Sequence, residues 1–195
     1  ELIVGTMAVE TQMTVSEGQT TNFVQDIREI ELAVIDKTDP QKDRVTVIPK
    51  SILLKNREGV VSDPALPFDY ELIHYYQNSS LRKISSLTAE EKKAADNPAT
   101  TGVGKEWIAL PVRNTAGTDM GGGVDIPAAY IKIIDKKSKE SLGVFLVSLD
   151  LSLRDFGEQV VVDGTPYELF LRFKRYYKDY TVKLIDVRKD DYAGT

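Results

Sequence analysis

Hydrophobic and polar residues alternate along most of this 195-residue chain, which is typical of strands with one buried face. Between Ile30 and Val34 the apolar residues occupy the even positions, and a similar pattern ends at Pro49. Comparable segments separated by Gly and Pro predict strands at 68–77, 105–113, 128–135, 141–150 and 158–164, with a hairpin loop at 135–141. Since no change in composition divides the chain, we expect one all-β domain over residues 1–195, mainly an antiparallel β-sandwich or an open barrel.

Only one segment has the signature of a helix. Thr88 and Glu91 have the spacing of a capping box, in which each side chain accepts a hydrogen bond from the other residue's backbone. Asn97 and Pro98 stop the segment, so the sequence predicts one short helix near residues 88–96. The glycine-rich stretch at 114–127 predicts a mobile loop.

The segment at 167–187 concentrates aromatic rings and cations. Six of the sixteen aromatic residues lie in 167–180, and five cations with one anion lie in 172–183. Period-two alternation predicts a core face with Tyr167, Leu169, Leu171 and Phe173, and a wet face that includes Phe170, Arg172 and Tyr176. We expect a turn after Lys178 and Asp179, which would bring Tyr180, Val182 and Leu184 onto one face of a second strand.

Two interpretations of this segment are open. It is either an ordinary amphipathic hairpin, stabilised by cross-strand pairs of roughly 0.2–1 kcal/mol each, or a surface for an anionic, flat or membranous partner. The first interpretation does not explain why the cations cluster, because alternating acids would serve a solvated face equally well.

The charge of the chain narrows the classes of partner. The net charge is −5, and because residues 172–183 carry +4, the remainder carries −9. Such a chain lacks the surplus of Lys and Arg that phosphate binding needs, so we expect no nucleic-acid partner. No run approaches the ~20 apolar residues of a membrane-spanning helix, and no signal-peptide pattern is present. We expect the chain to be a fragment excised from a longer protein.

Few residues are available for catalytic or metal chemistry. The absence of cysteine excludes thiol catalysis, disulfides and thiolate metal sites. The single histidine, His74, forms neither a His cluster nor a triad, and its place beside Tyr76 indicates a packed, hydrogen-bonded residue. A hydrolase would have to depend on pairs of Asp and Glu, and no spacing singles out such a pair. We therefore expect neither an enzyme nor a metal site.

The C-terminal part of the chain resembles a known family. Residues 172–180 read RFKRYYKDY and residues 192–195 read YAGT, a run similar to that of the ResB-like proteins of System II cytochrome c biogenesis. Asp179 and Ala193 stand where that family commonly has proline, and Lys189 lies near a position often held by histidine. Segments that also look like the extracytoplasmic region of this family lie, in order, at 66–82, 97–112, 124–148 and 162–169.

The resemblance implies a non-enzymatic scaffold or chaperone domain on the periplasmic, extracytoplasmic face of a bacterial membrane. Its parent would be membrane-anchored and would act with a haem-handling membrane protein, CcsA or ResC, to attach haem to apocytochrome c. No cofactor is assigned to this chain itself, and haem is expected only in the full complex. The residues expected to contact a partner are Phe173, Lys174, Arg175, Tyr176, Tyr177, Lys178 and Tyr180.

The alternative function is a secreted β-sandwich that binds glycans or similar ligands. The two functions differ in the parent gene, because only a membrane-anchored protein has hydrophobic spans beside this segment.

Overall fold

The computed structural model describes residues 11–55, 59–113 and 124–188. The strands of this part of the chain are β1 (Thr20–Asp36), β2 (Arg44–Pro49), β3 (Phe68–Tyr76), β4 (Ser79–Lys83), β5 (Trp107–Pro111), β6 (Ala128–Asp135), β7 (Ser141–Ser148), β8 (Glu158–Val162) and β9 (Thr165–Lys183). Its helices are α1 (Lys50–Lys55), α2 (Ala89–Ala94) and α3 (Leu149–Leu153), with 3-10 turns at Ile84–Ser86 and Gly102–Lys105. The loop predicted at 114–127 lies outside the described residues as far as residue 123.

The strands form sheets in the orders β2-β1-β9-β8, β3-β6-β7 and β4-β5. Pairing is antiparallel between β1 and β2, within the second and third sheets, and between β8 and β9. The prediction of an all-β, mainly antiparallel fold with a short helix is confirmed, and the described residues form no closed barrel.

The short helix predicted near residues 88–96 is present as α2. Thr88 is its N-cap, the Glu91 backbone N–H donates to the Thr88 hydroxyl, and the Thr88 backbone N–H donates to the Glu91 carboxylate, so the capping box is confirmed. The prediction that only one segment is helical is wrong. Helix α1 follows Pro49 directly, and α3 begins where the Ser148 hydroxyl accepts a hydrogen bond from the Asp150 N–H. The strand expected at 141–150 therefore ends at Ser148.

The turn predicted after Lys178 and Asp179 is also wrong, because β9 runs without a break for 19 residues. The neighbour of its C-terminal part is β1, so the partner strand comes from the other end of the sequence. The hairpin of this region lies before β9 instead. Asp163 and Gly164, with φ of 51° and 78°, form its two-residue turn between β8 and β9.

The chain divides into two compact units. In the described part, unit 1 contains residues 11–30 and 173–188, and unit 2 contains residues 31–172. Unit 1 is thus made of the beginning of β1 and the end of β9 with their flanking residues. The single domain expected from the sequence stays a prediction.

A cluster of buried residues in unit 2 joins the β3-β6-β7 and β4-β5 sheets. The cluster contains Ala109 of β5, Ala128 and Tyr130 of β6, and Leu146 of β7, and each of these residues is at most 1% exposed. The Tyr130 hydroxyl is satisfied inside this cluster because it accepts a hydrogen bond of 3.0 Å from the Ala109 N–H. Full burial of a side chain the size of Leu146 contributes roughly 1.5–3 kcal/mol, and the small Ala109 and Ala128 let Tyr130 and Leu146 pack between β5, β6 and β7.

Candidate functional site

The predicted contact residues all lie in unit 1, where residues 20–30 of β1 and 173–183 of β9 form a two-stranded ribbon. At one end of the ribbon, the Gly18 N–H donates to the Leu184 carbonyl at 2.8 Å, and the Leu184 N–H donates to the Gln19 carbonyl at 3.1 Å. Gly18 and Gln19 thus both lie opposite Leu184, which is the pattern of a G1 bulge. The first residue of such a bulge needs a positive φ, and the φ of Gly18 is 80°.

One face of the ribbon is built around Phe23 of β1. The Arg175 guanidinium carbon lies 4.0 Å from the centroid of the Phe23 ring, and the Tyr177 ring meets Phe23 edge-on with centroids 5.8 Å apart. Cation–π and aromatic contacts of these kinds contribute about 0.5–2 kcal/mol each. Arg175 and Tyr177 therefore serve the architecture of the ribbon, although Tyr177 remains 53% exposed.

The predicted core face is confirmed at Leu169, Leu171 and Phe173, which are 1%, 0% and 8% exposed. Tyr167, expected with them, is half-buried. Because Phe173 is buried, it supports the strand from the core side and has little surface to offer a partner.

The other face carries a Lys–Tyr row, formed by Lys174, Tyr176, Lys178 and Tyr180. Successive side chains of a strand point to opposite faces, so these four alternate with the residues around Phe23. The Lys174 ammonium lies 4.9 Å from the centroid of the Tyr176 ring. A hydrogen bond with Tyr176 raises the pKa of Lys174 although burial opposes it, and nearby carboxylates add to the rise.

The outer half of the Lys–Tyr row is open to solvent. Lys178 is exposed, and Tyr180 is 54% exposed. Among the described residues, no carboxylate lies within ion-pair distance of Lys178 or of Lys183, the exposed cation that ends β9. This part of the ribbon thus presents cations and a phenol ring whose charges and apolar surface are not satisfied within the described chain.

The wet face predicted for Arg172 is wrong, because its side chain is only 4% exposed. In unit 2, the Arg172 Nε donates to Glu31 Oε1 at 3.0 Å, and its terminal nitrogen Nη2 lies 3.0 Å from the same oxygen. Burial of an arginine requires such a partner, and Glu31 is 141 positions away in the sequence. The positive charge at the surface is consequently smaller than the sequence count, since 173–183 alone carries four cations and one anion.

The sequence-based predictions missed a buried carboxyl group in unit 2. Glu158, at the start of β8, is 4% exposed, and its Oε1 accepts a hydrogen bond of 2.8 Å from the Val103 N–H. At Gly102, where φ is 64°, a Cβ would collide with the Glu158 carboxylate. Glycine at this position therefore leaves the space that the carboxylate occupies. Burial raises the pKa of Glu158 to about 7, although hydrogen bonds from the Val103 and Gly104 backbone lower it in part. Glu158 is the first residue of the strand predicted at 158–164, and nothing in the sequence indicated that its side chain would be buried.

His74 is a packed, hydrogen-bonded residue, as predicted. Its Nε2 lies 2.8 Å from Asp96 Oδ2, and its ring stacks on Tyr76 with centroids 6.2 Å apart. In residues 11–55, 59–113 and 124–188, no group of three or more side chains is arranged to hold a metal ion.

Cavities of unit 2 bear on the ligand-binding alternative. A cavity of about 290 Å³ is lined by Asp36, Thr38, Asp39, Lys42, Asp43 and Arg44. Small-molecule sites are usually about 300–1,000 Å³ and lined mainly by apolar and aromatic side chains. This cavity is small and polar, and the Asp43 carboxylate in its lining already pairs with Lys37 at 3.3 Å. The Lys–Tyr row is therefore the stronger candidate site.

No family model matches this chain, and no curated protein matches it. The resemblance to ResB-like proteins, together with the partners and localisation that it implies, stays a prediction. No helix in the described part of the chain is both long enough and apolar enough to cross a membrane.

Proposed function

We propose that this chain is a non-enzymatic scaffold domain that binds a protein partner through the Lys–Tyr row of unit 1. The observation that carries the proposal is the exposure of Lys178 and Tyr180 side by side on one face of a two-stranded ribbon. Tyrosine is enriched among the residues that dominate binding energy, because its large ring loses little entropy and its hydroxyl still forms hydrogen bonds.

The architecture of unit 1 supports this proposal. A two-stranded antiparallel ribbon is marginally stable in water without further packing. The face around Phe23 has ring contacts with Arg175 and Tyr177, whereas no ion pair or ring contact joins Lys178 or Tyr180 to another described side chain. A partner that covers the row would supply the missing packing.

The identity of the partner is proposed from the resemblance. The row coincides with the RFKRYYKDY run, so the proposed setting is the extracytoplasmic side of a System II haem-attachment complex. Apocytochrome c and the CcsA or ResC protein are the proposed partners. The alternating phenol rings and ammonium groups suit a flat anionic surface, since rings stack and ammonium groups pair with carboxylates.

Haem itself could pack against the side chains of the row. Tyr180 could stack on a porphyrin face and Lys178 could pair with a propionate, but the row contains no histidine, the commonest haem ligand. The single histidine is His74 in unit 2, and its Nε2 is bonded to Asp96. In keeping with the resemblance, we propose that the axial histidines come from the other members of the complex.

The test is calorimetric titration of the chain, with the CcsA or ResC protein present, by an apocytochrome c peptide that contains Cys-x-x-Cys-His. Lys178→Ala and Tyr180→Ala should each weaken binding about 10-fold, the loss of about 1.4 kcal/mol. Their matched controls are Lys183→Ala and Tyr177→Ala, which remove the same side chains from the opposite face and should change affinity less than about 3-fold.

Circular dichroism must show that all four variants fold. Equal losses in the row and control variants would contradict the assignment of the row, and no saturable binding by the folded wild-type chain would contradict the proposed function.

A further inference from the structure

In the described part of unit 1, no strand pairs with the outer edge of β9 beyond Arg175. Strand β8 pairs with the beginning of β9 only, and the last pair joins Glu158 to Leu169. Over residues 176–183, no strand of the described chain pairs with that edge. An exposed row of backbone N–H and C=O groups is a template to which another extended chain can add.

The opposite edge of the ribbon differs. There, Gln12 and Gln25 form a bridge in which each backbone N–H donates to the other residue's carbonyl, at 2.8 and 2.7 Å. An extended segment thus already lies along β1. The free template of the ribbon is on the β9 side.

The two sides of the ribbon also differ in charge. Residues 11–30 contain one cation and three anions, whereas residues 173–188 contain five cations and two anions. The free edge therefore lies on the positive side of the ribbon. Residues 173–188 on this side carry a net charge of +3, whereas residues 11–30 on the other side carry −2. An added strand would lie about 4.8 Å from β9 and bring its side chains within ion-pair reach of Lys178.

We propose that unit 1 binds an extended acidic peptide segment by strand addition to the free edge of β9, with carboxylates beside Lys174 and Lys178. This inference rests on the proposed function, because it specifies how a partner meets the Lys–Tyr row. The backbone edge gives affinity through main-chain hydrogen bonds, and the cations select acidic side chains on alternate positions.

A second copy of the chain is a weaker occupant of this edge. Pairing β9 with β9 of another copy would bring two positive strands together, and like charges in facing positions are destabilising. Lysines on edge strands also guard against such self-association.

The experiment uses three ten-residue peptides with blocked termini and the whole chain. The first alternates Val and Glu, the second alternates Val and Lys, and the third repeats the Val-Glu sequence with a methyl group on every backbone nitrogen. Binding of the Val-Glu peptide is measured by calorimetry with the wild-type chain, Lys178→Ala and the matched control Lys183→Ala. Light scattering of the chain alone reports its oligomeric state.

Strand addition predicts that the Val-Glu peptide binds at least 10-fold more tightly than either other peptide, and that Lys178→Ala weakens it more than Lys183→Ala. Equal affinity for the methylated peptide would overturn the inference, because charge alone would then suffice. A stable dimer that the acidic peptide does not dissociate would overturn it in favour of a second copy. If the Val-Glu peptide fails while the apocytochrome peptide still binds through Tyr180, only this inference falls; if both peptides fail, the proposed function falls as well.

Discussion

Glu158→Gln should remove a pH dependence from the stability of this protein. The Glu158 carboxyl is buried, and burial raises its pKa from 4.5 to about 7 in the folded chain. Between these values the folded state holds a proton that the unfolded chain has already released. The contribution of Glu158 to stability is therefore fully present below pH 4.5 and is lost as the pH rises through 7.

The size of this effect follows from the two pKa values. They differ by about 2.5 pH units, and each unit corresponds to about 1.4 kcal/mol, so wild type should lose about 3 kcal/mol relative to the variant between pH 4.5 and 8. Glutamine is neutral throughout and keeps an oxygen that can accept the Val103 N–H. Any fixed cost of its amide NH₂ group near Gly104 cancels when two pH values are compared.

Urea unfolding at pH 4.5, 6.0 and 7.5, followed by the fluorescence of Trp107 in unit 2, measures the difference in unfolding free energy. Glu140→Gln, at an exposed position in the same unit, is the control for removing one carboxylate. A variant-minus-wild-type difference that stays constant over this range, or that moves in favour of wild type as the pH rises, would refute the reasoning.

Three further substitutions test the packing, each by urea unfolding. Arg172→Met should cost about 3–5 kcal/mol because it leaves the buried Glu31 carboxylate without its partner, and adding Glu31→Leu should recover most of the loss; a double variant as unstable as the single one would contradict this. Phe173→Ala should cost about 3–5 kcal/mol, and a loss below about 1 kcal/mol would mean that the ring is not in the core. Gly102→Ala should lower the free energy of unfolding by about 1–3 kcal/mol, because of the positive φ and the displaced Glu158 carboxylate. Unchanged stability would show that the Glu158 side chain moves aside without cost.

Local sequence patterns predicted most of the strands. Strands β3, β5, β6 and β8 lie within their predicted ranges, because alternation of apolar and polar residues reports directly which face is buried. The capping box of α2 was equally readable, since Thr88 and Glu91 are only three residues apart. The placement of Lys174, Tyr176 and Lys178 on one face followed from the same period of two, whereas Tyr180 was expected on a second strand.

The failures share a physical cause, which is contact between distant positions. Arg172 and Glu158 are charged residues that a local pattern places at the surface. Arg172 is buried because it pairs with Glu31, and Glu158 is buried where the Val103 backbone N–H donates to it. The turn expected after Lys178 and Asp179 is absent, because the end of β9 pairs with β1 from the start of the sequence. Helices α1 and α3 were missed since five or six residues are too few to show a period.

The pairing of Gly18 with Leu184 has a consequence for biosynthesis. A ribosome releases the beginning of β1 long before the end of β9, so the ribbon can close at Gly18 only after Leu184 has left the exit tunnel. Closing a loop of this length is slow, and until it happens the edge of β1 is left without its neighbour. Translation that stops before residue 174 would thus yield products without the Lys–Tyr row, and partner recognition would require synthesis to continue past β9.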